Sequence, residues 1–208
     1  MYLEKFAPHR TVTARMTENT FRIKDVIKGC QENAIGFKEL MYKSFYGYVM
    51  GVIVRYISNS FDAQELVNDS FIKIFKHISS FESTSISDDV YTKSFKGWIA
   101  KIASRTAIDH LRKDKNNFLT EELDKINYQL YPVQISHEIH VKEIMALLNK
   151  LPPTHKFIFN LHEVEGFSHD EIAQMLKIPA SSSRVFLGRA KNKLRELYAQ
   201  TFNEQFHK

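Results

Sequence analysis

The sequence predicts an all-α chain of two helical domains joined by a flexible linker, with a helix-turn-helix in the second. Three observations predict it. Seven glycines and five prolines in 208 residues leave few breaks in the chain. Apolar residues recur at spacings of three and four almost throughout, as one buried face of a helix requires. A polar, aperiodic stretch over 114–140, with Asn116, Asn117, Glu121, Glu122, Asp124 and Pro132, interrupts the pattern and reads as the linker.

Composition narrows the function classes. The formal net charge is +5, a weak lean toward a polyanionic partner. Cys30 is the single cysteine, which excludes an intramolecular disulfide and a cysteine-rich metal site. The chain has no run of eighteen apolar residues and its N-terminus lacks the apolar core of a signal peptide. A cytoplasmic protein without membrane insertion is therefore expected.

In chain order, residues 1–20 read as a poorly ordered tail. Met16 opens a segment, MTENTFRIKDVIKGC, that reads as an alternative natural start. Phe21, Val26 and Ile27 begin a helix that Gly29 is expected to stop. Ile35, Leu40, Met41, Phe45, Val49, Val52, Ile53 and Tyr56 belong to the apolar face of a long core helix. The next helix is expected to open at Ser60-Phe61-Asp62, with Asp62 as N-cap and Glu65 three residues on. Its inward positions are Leu66, Phe71, Ile74, Phe75 and Ile78. Asp62, Glu65, Asn68 and Asp69 give its first turns an acidic, polar face, which complements the helix dipole or docks a basic partner. The Ser/Thr/Asp-rich stretch 82–92 reads as a loop.

The stretch 94–113, SFKGWIAKIASRTAIDHLRK, is helical in pattern. Phe95, Ile99, Ile102 and Thr106 make a core stripe. Beside it run Lys101, Arg105, Ile108 and Arg112, and Trp98, the only tryptophan, stands between the two. Cations beside a large aromatic suit nucleic acid, because the charges attract phosphates and the indole stacks on an unpaired base. A solvated basic face with a half-packed tryptophan explains the same pattern.

After the linker, Ile144, Leu147 and Leu148 mark a helix that Leu151-Pro152-Pro153 breaks. A helix over 154–165 ends at Gly166. Ser168-His169-Asp170-Glu171 is a capping box opening a further helix. The last helix starts near Ser181, after Lys177-Ile178-Pro179. Short helix, tight turn and longer helix make the helix-turn-helix pattern. On the last helix Leu187, Ala190, Leu194 and Leu197 face inward. Arg184, Gly188, Lys191 and Arg195 form a second line, flanked by Arg189 and Lys193. Small and basic residues at the start of such a helix suit base edges and phosphates in a major groove.

Two separate stretches resemble one family. DAQELVNDSFIKIF over 62–75, and 95–113 with Trp98, Ala103, Asp109, His110 and Arg112 in register, resemble region 2 of bacterial sigma factors. Leu151-Pro152-Pro153, Glu165-Gly166-Phe167-Ser168, Glu171-Ile172-Ala173 and Leu187-Gly188-Arg189-Ala190 resemble their C-terminal region 4 pattern, in the family's order. The chain is similar to the extracytoplasmic-function (ECF) group of the sigma-70 family.

The resemblance implies an alternative sigma factor that binds core RNA polymerase through the β′ clamp helices and β flap, recognises promoter DNA, and is held by an anti-sigma factor. It implies no cofactor, no metal and no catalysis. It divides the chain into a tail at 1–20, region 2 at 21–113, the linker at 114–140, region 4 at 141–202 and a tail at 203–208. Asp62, Glu65, Leu66, Asn68, Asp69 and Phe71 fall at polymerase-docking positions. Trp98, Lys101, Arg105, Asp109 and Arg112 fall in the segment that reads and melts the −10 element. Ser181, Ser182, Arg184, Val185, Gly188, Arg189 and Lys191 fall in the −35 reading helix. Glu121, Glu122 and Asp124 would line the RNA path. Departures are Lys177 at a turn position usually held by glycine and often needing φ > 0, Ser183 at a usually apolar core position, Asn68 for the usual Gln, Pro179 for the usual N-cap Ser, and Val185 and Phe186 where Ser and Arg or Gln are frequent.

Two other readings compete. A helix-turn-helix regulator independent of polymerase needs a ligand or dimerisation domain, and the paired region 2 stretches occupy that place. A metal-dependent nuclease would use His137, His140, His162 and His169, but HExxH spacing, an evident third ligand and a glycine-rich phosphate loop are lacking.

Overall fold

The computed structural model describes residues 22–85, 87–114 and 146–206. The first unit contains α1 (Ile23–Gln31), α2 (Ile35–Ile53), α3 (Ser60–His77), a 3-10 turn (Ile78–Ser80) and α4 (Asp88–Asp114). The second contains α5 (Pro153–Phe159), a π-helical turn (Asn160–Val164), α6 (His169–Leu176) and α7 (Ala180–Phe206). Residues 146–149 add a helical turn before α5. No strand occurs among the described residues. The expected linker, the Met16 start, and Glu121, Glu122, Asp124, His137 and His140 lie outside them.

Apolar periodicity builds the first unit as anticipated. α2 buries Met41, Phe45, Val49, Val52 and Ile53, and α3 buries Ala63, Leu66, Val67, Phe71 and Ile74. α4 supplies Phe95, Ile99, Ala100, Ala103, Ala107 and Ile108, its alanines allowing neighbouring helices close approach. Buried hydroxyls are satisfied within their own helices: Ser70 donates to the Leu66 carbonyl at 2.6 Å and Ser104 to the Ala100 carbonyl at 2.7 Å.

Three boundaries differ from the sequence reading. Gly29 does not stop α1; it is buried within it, and a Cβ there would run into the Phe37 ring. The stop is Asn33, at φ 59°, with the Ala34 amide donating to the Gly29 carbonyl at 3.0 Å. The cap of α3 is Asn59, not Asp62, its side chain accepting from the Phe61 and Asp62 amides. The stretch 82–92 is not wholly a loop, since α4 begins at Asp88. Thr92 belongs to the helix and donates back to the Asp88 carbonyl at 2.7 Å, as Ser/Thr side chains do inside helices.

In the second unit Pro153 sits in the first helical turn, where its missing N–H costs nothing. The capping box forms fully: the Ser168 hydroxyl accepts from the Glu171 amide, and the Glu171 carboxylate accepts from the Ser168 amide at 2.9 Å. The helix over 154–165 widens at its end, where the Glu165 amide donates to the Asn160 carbonyl five residues back. Gly166, at φ 73°, then reverses the chain. Ser183 is fully buried at its apolar-type position, and its hydroxyl is 2.9 Å from Nδ1 of His169, which satisfies it.

Lys177 adopts the left-handed conformation, φ 54° and ψ 45°, and the Ile178 amide donates to the Ala173 carbonyl across the turn. A Cβ in that conformation costs about 1–2 kcal/mol, partly offset because glycine has more freedom to lose on folding. Lys177→Gly is expected to raise stability by about 0.5–1 kcal/mol in chemical denaturation. An unchanged or lower midpoint would show that the turn carries no strain.

Candidate nucleic-acid and protein interfaces

α3 carries an outward line. Glu65, Asn68 and Asp69 are exposed and Asp62 is half-buried. Leu66 and Phe71, inward by spacing but placed in the docking set by the resemblance, are buried at 4% and 2% exposure, turned toward α2 and α4. The Phe71 ring packs 4.7 Å from that of Tyr42, whose hydroxyl donates to Asn68 Oδ1 at 2.8 Å and orients that amide. Phe61 and Ile72 are 74% and 65% exposed and fall in line with Glu65 and Asn68 at spacings of four, three and four. The sequence reading kept to the polar residues of this face and missed both. A mixed stripe of two exposed apolar anchors around carboxylates suits a protein partner.

On α4 the candidate set divides. Trp98 is half-buried, stacked 5.8 Å from Phe95 and packed 5.6 Å from Phe81, with part of the indole open. Ile108 is 1% exposed and leaves the basic stripe for the core. Arg112 pairs with Asp109 at 2.9 Å. Lys101 is half-buried, whereas the Arg105 side chain keeps 52% of its exposure. Both lie over the Phe167 ring, at 5.1 and 5.2 Å from its centroid, and Arg105 pairs with Glu171 at 3.1 Å. Phe167 and Glu171 belong to the second unit, so the cations of one candidate surface rest on the other domain.

α7 presents Ser181, Arg184, Val185, Gly188 and Arg189 outward, with Ser182 half-buried. Lys191 is turned aside, 2.8 Å from the Glu163 carboxylate. The exposed part of the line is the N-terminal half of the helix, the half that enters a groove first in helix-turn-helix proteins.

Under α7 the rings of His162 and His169 stack at 4.4 Å. Nδ1 of His162 is 2.8 Å from the Phe167 carbonyl. Burial, then the neighbouring His162 and Arg184, push the His169 pKa below its ordinary 6.5, with Asp170 opposing and Lys191 assisting. Among the described residues no three His, Cys, Asp or Glu side chains group as metal ligands, and no helix is long and apolar enough to cross a membrane.

Two family models match the chain. The family model for Sigma-70 region 2 matches residues 41–117, and that for Sigma-70, region 4 matches residues 142–194. The chain is 25% identical over 155 residues to the ECF RNA polymerase sigma factor SigE of Mycolicibacterium smegmatis, covering 72% of this chain and 57% of that protein. It is 27% identical over 175 residues to the ECF RNA polymerase sigma-E factor of Haemophilus influenzae, covering 76% and 87%. It is 20% identical over 167 residues to SigM of Bacillus subtilis, covering 79% and 97%. Among solved structures it is similar to the sigma factor RpoE of Bartonella quintana in complex with the anti-sigma factor NepR, at 20% identity, a TM-score of 0.47, and coverage of 77% of this chain and 96% of that one.

His169 gives the second unit a pH dependence. The unfolded imidazole of residue 169 titrates near 6.5 and the folded one lower. As pH falls below about 6.5 the unfolded chain therefore binds the proton first, and stability declines. Glu165, whose pKa burial raises above 4.5, works in the opposite sense, its contribution weakening as pH rises. A comparison of parent and His169→Asn melting curves between pH 7.5 and 5.5 isolates the imidazole (pH values spanning about one unit either side of its ordinary pKa). The parent is expected to lose more melting temperature on acidification than the variant; parallel losses would contradict the assignment.

Proposed function

We propose, for a chain that belongs to the ECF group of the sigma-70 family, that it is an alternative sigma factor: it binds core RNA polymerase, directs it to specific promoters through −10 and −35 contacts, and initiates transcription. The observation that carries this reading is the order of two matched regions in one chain, region 2 over 41–117 followed by region 4 over 142–194. It is supported by surfaces of the right chemistry on each. In this reading the chain works in the cytoplasm by binding rather than catalysis, with promoter DNA, core polymerase and an anti-sigma factor as partners.

The geometry supports the following roles. Glu65, Asn68 and Asp69, with Phe61 and Ile72 beside them, form the polymerase-docking line on α3. Leu66 and Phe71 support it from beneath. Trp98, Lys101, Arg105 and Arg112 form the −10 surface, on which unpaired bases stack against the open part of the indole while cations hold the backbone. Asp109 sets the position of Arg112. Ser181, Ser182, Arg184, Val185, Gly188 and Arg189 form the −35 surface, with Lys191 available to phosphate once released from Glu163.

Reconstitution with core polymerase tests the reading. Mixed with core, the chain is expected to start transcripts at a discrete set of genomic positions. Absence of promoter-directed transcripts, together with duplex DNA binding by the chain alone, would favour the polymerase-independent regulator. Within that assay Asp69→Lys is expected to weaken core binding about tenfold, roughly 1.4 kcal/mol, through charge reversal at the interface. Unchanged affinity would remove α3 from the docking surface. Arg184→Ala is expected to cost about 1–3 kcal/mol of promoter affinity and to relax preference at one −35 position. Equal losses on every sequence would make Arg184 a phosphate contact only.

A further inference from the structure

The side of α7 that faces away from its own unit carries an apolar residue that folding does not account for. Ser183, Leu187 and Ala190 are buried, and the Phe186 ring lies 5.5 Å from that of His155. These contacts fix how α7 is turned. At about 100° per residue, Val185 then stands roughly 160° from Leu187 around the helix, almost opposite the buried line. It is 51% exposed. A β-branched side chain at such a position lowers helix propensity and gains little burial in return. Arg184 and Arg189, both exposed, flank it. Gly188, one turn on, is exposed too, and a Cβ added there would meet nothing within 4 Å. No side chain at 188 therefore holds a partner's surface away from Val185.

A single exposed valine is by itself ordinary. Its place decides what it can read. The inference rests on the reading of α7 as the helix that enters the −35 major groove. In that groove the cations at 184 and 189 draw the duplex to the helix, and Val185 stands between them. Its side chain has neither donor nor acceptor. Against a purine edge it would strip water from polar atoms and return no hydrogen bond. The C5-methyl of thymine is the methyl group that base pairs show in the major groove, and it suits an apolar side chain. We propose that Val185 is a specificity-determining residue of the −35 surface and selects a thymine by packing on its C5-methyl. Arg184 and Arg189 take the complementary task, meeting acceptors on guanine edges or phosphates. What Val185 reads is the methyl itself, so a cytosine bearing the same methyl satisfies it as well.

The test uses the full chain reconstituted with core polymerase, and a promoter duplex taken from the transcripts that this mixture starts. Each thymine of the −35 element, on either strand, is replaced singly by deoxyuridine, which lacks only the methyl. Binding is expected to weaken about fourfold at one position, the effect of withdrawing one methyl group from burial (about 0.8 kcal/mol). At that position 5-methylcytosine is expected to bind more tightly than cytosine by a similar factor. In Val185→Ser, which removes both valine methyls from an exposed site, the two differences are expected to vanish. Circular dichroism checks that the variant keeps native helix content. Deoxyuridine tolerated at every position, with promoter-directed transcription intact, would overturn the assignment of Val185 and leave the sigma-factor reading standing. A methyl effect that survives unchanged in folded Val185→Ser would overturn it as well, since another side chain would then be reading the methyl. Absence of promoter-directed transcripts from the parent mixture would overturn both.

Discussion

Glu165 is a carboxylate with no access to water, held by a guanidinium from the other domain. Burial pushes its pKa up, and the Arg55 charge and hydrogen bond pull against that rise. The neighbouring Tyr56 phenol is driven well above its ordinary value, chiefly by burial and then by the Glu165 charge. Such a pair adds little net stability, since desolvation offsets most of the Coulomb attraction. What it imposes is geometry. Apolar contact between Tyr56 and Phe157 can slide; a buried carboxylate with one cation in reach cannot. The placement of Phe167 and Glu171 over α4 follows from where Glu165 is held.

The distribution of cations then separates the surfaces. Lys101 and Arg105 are engaged across the domain contact, Arg112 by Asp109, and Lys191 by Glu163. Arg184 and Arg189 stay outward on α7. The net positive charge is therefore unevenly available: the start of α7 presents exposed cations, whereas Lys101 and Arg105 on α4 are held against Phe167 and Glu171. The α3 line differs in kind. Phe61 and Ile72 expose apolar area around carboxylates, which is the composition of a protein contact rather than a nucleic-acid one.

Local chemistry was legible in the sequence and distant pairing was not. The Ser168–Glu171 capping box is read from a four-residue pattern, and it forms. The left-handed Lys177 is read from its place in the turn. The core stripes of α2 and α4 follow from spacing alone. Asn59 was missed as a cap because Asp62 offered the same chemistry three residues later, and only the helix start distinguishes them. Leu66 and Phe71 read as inward from spacing, and they are buried; the docking role came to them only from the resemblance. Ser183 looked like a packing defect because its partner, His169, is fourteen residues away on another helix. The Arg55–Glu165 pair has no local signature: each residue alone reads as a surface charge, and their contact exists only once the two domains meet.

Phe167 of the second unit lies against Lys101 and Arg105 of α4, and the placement of the two units rests on that contact. Amine-specific labelling of the intact free chain, read by peptide mass spectrometry, tests this at a single side chain. Lys101, half-buried over Phe167, is expected to react several-fold more slowly than Lys113, exposed on the same helix, and a proteolytic cut confined to 115–145 that lets the domains part should bring the two rates together. Equal rates in the intact chain would show that α4 is open in solution and contradict the account.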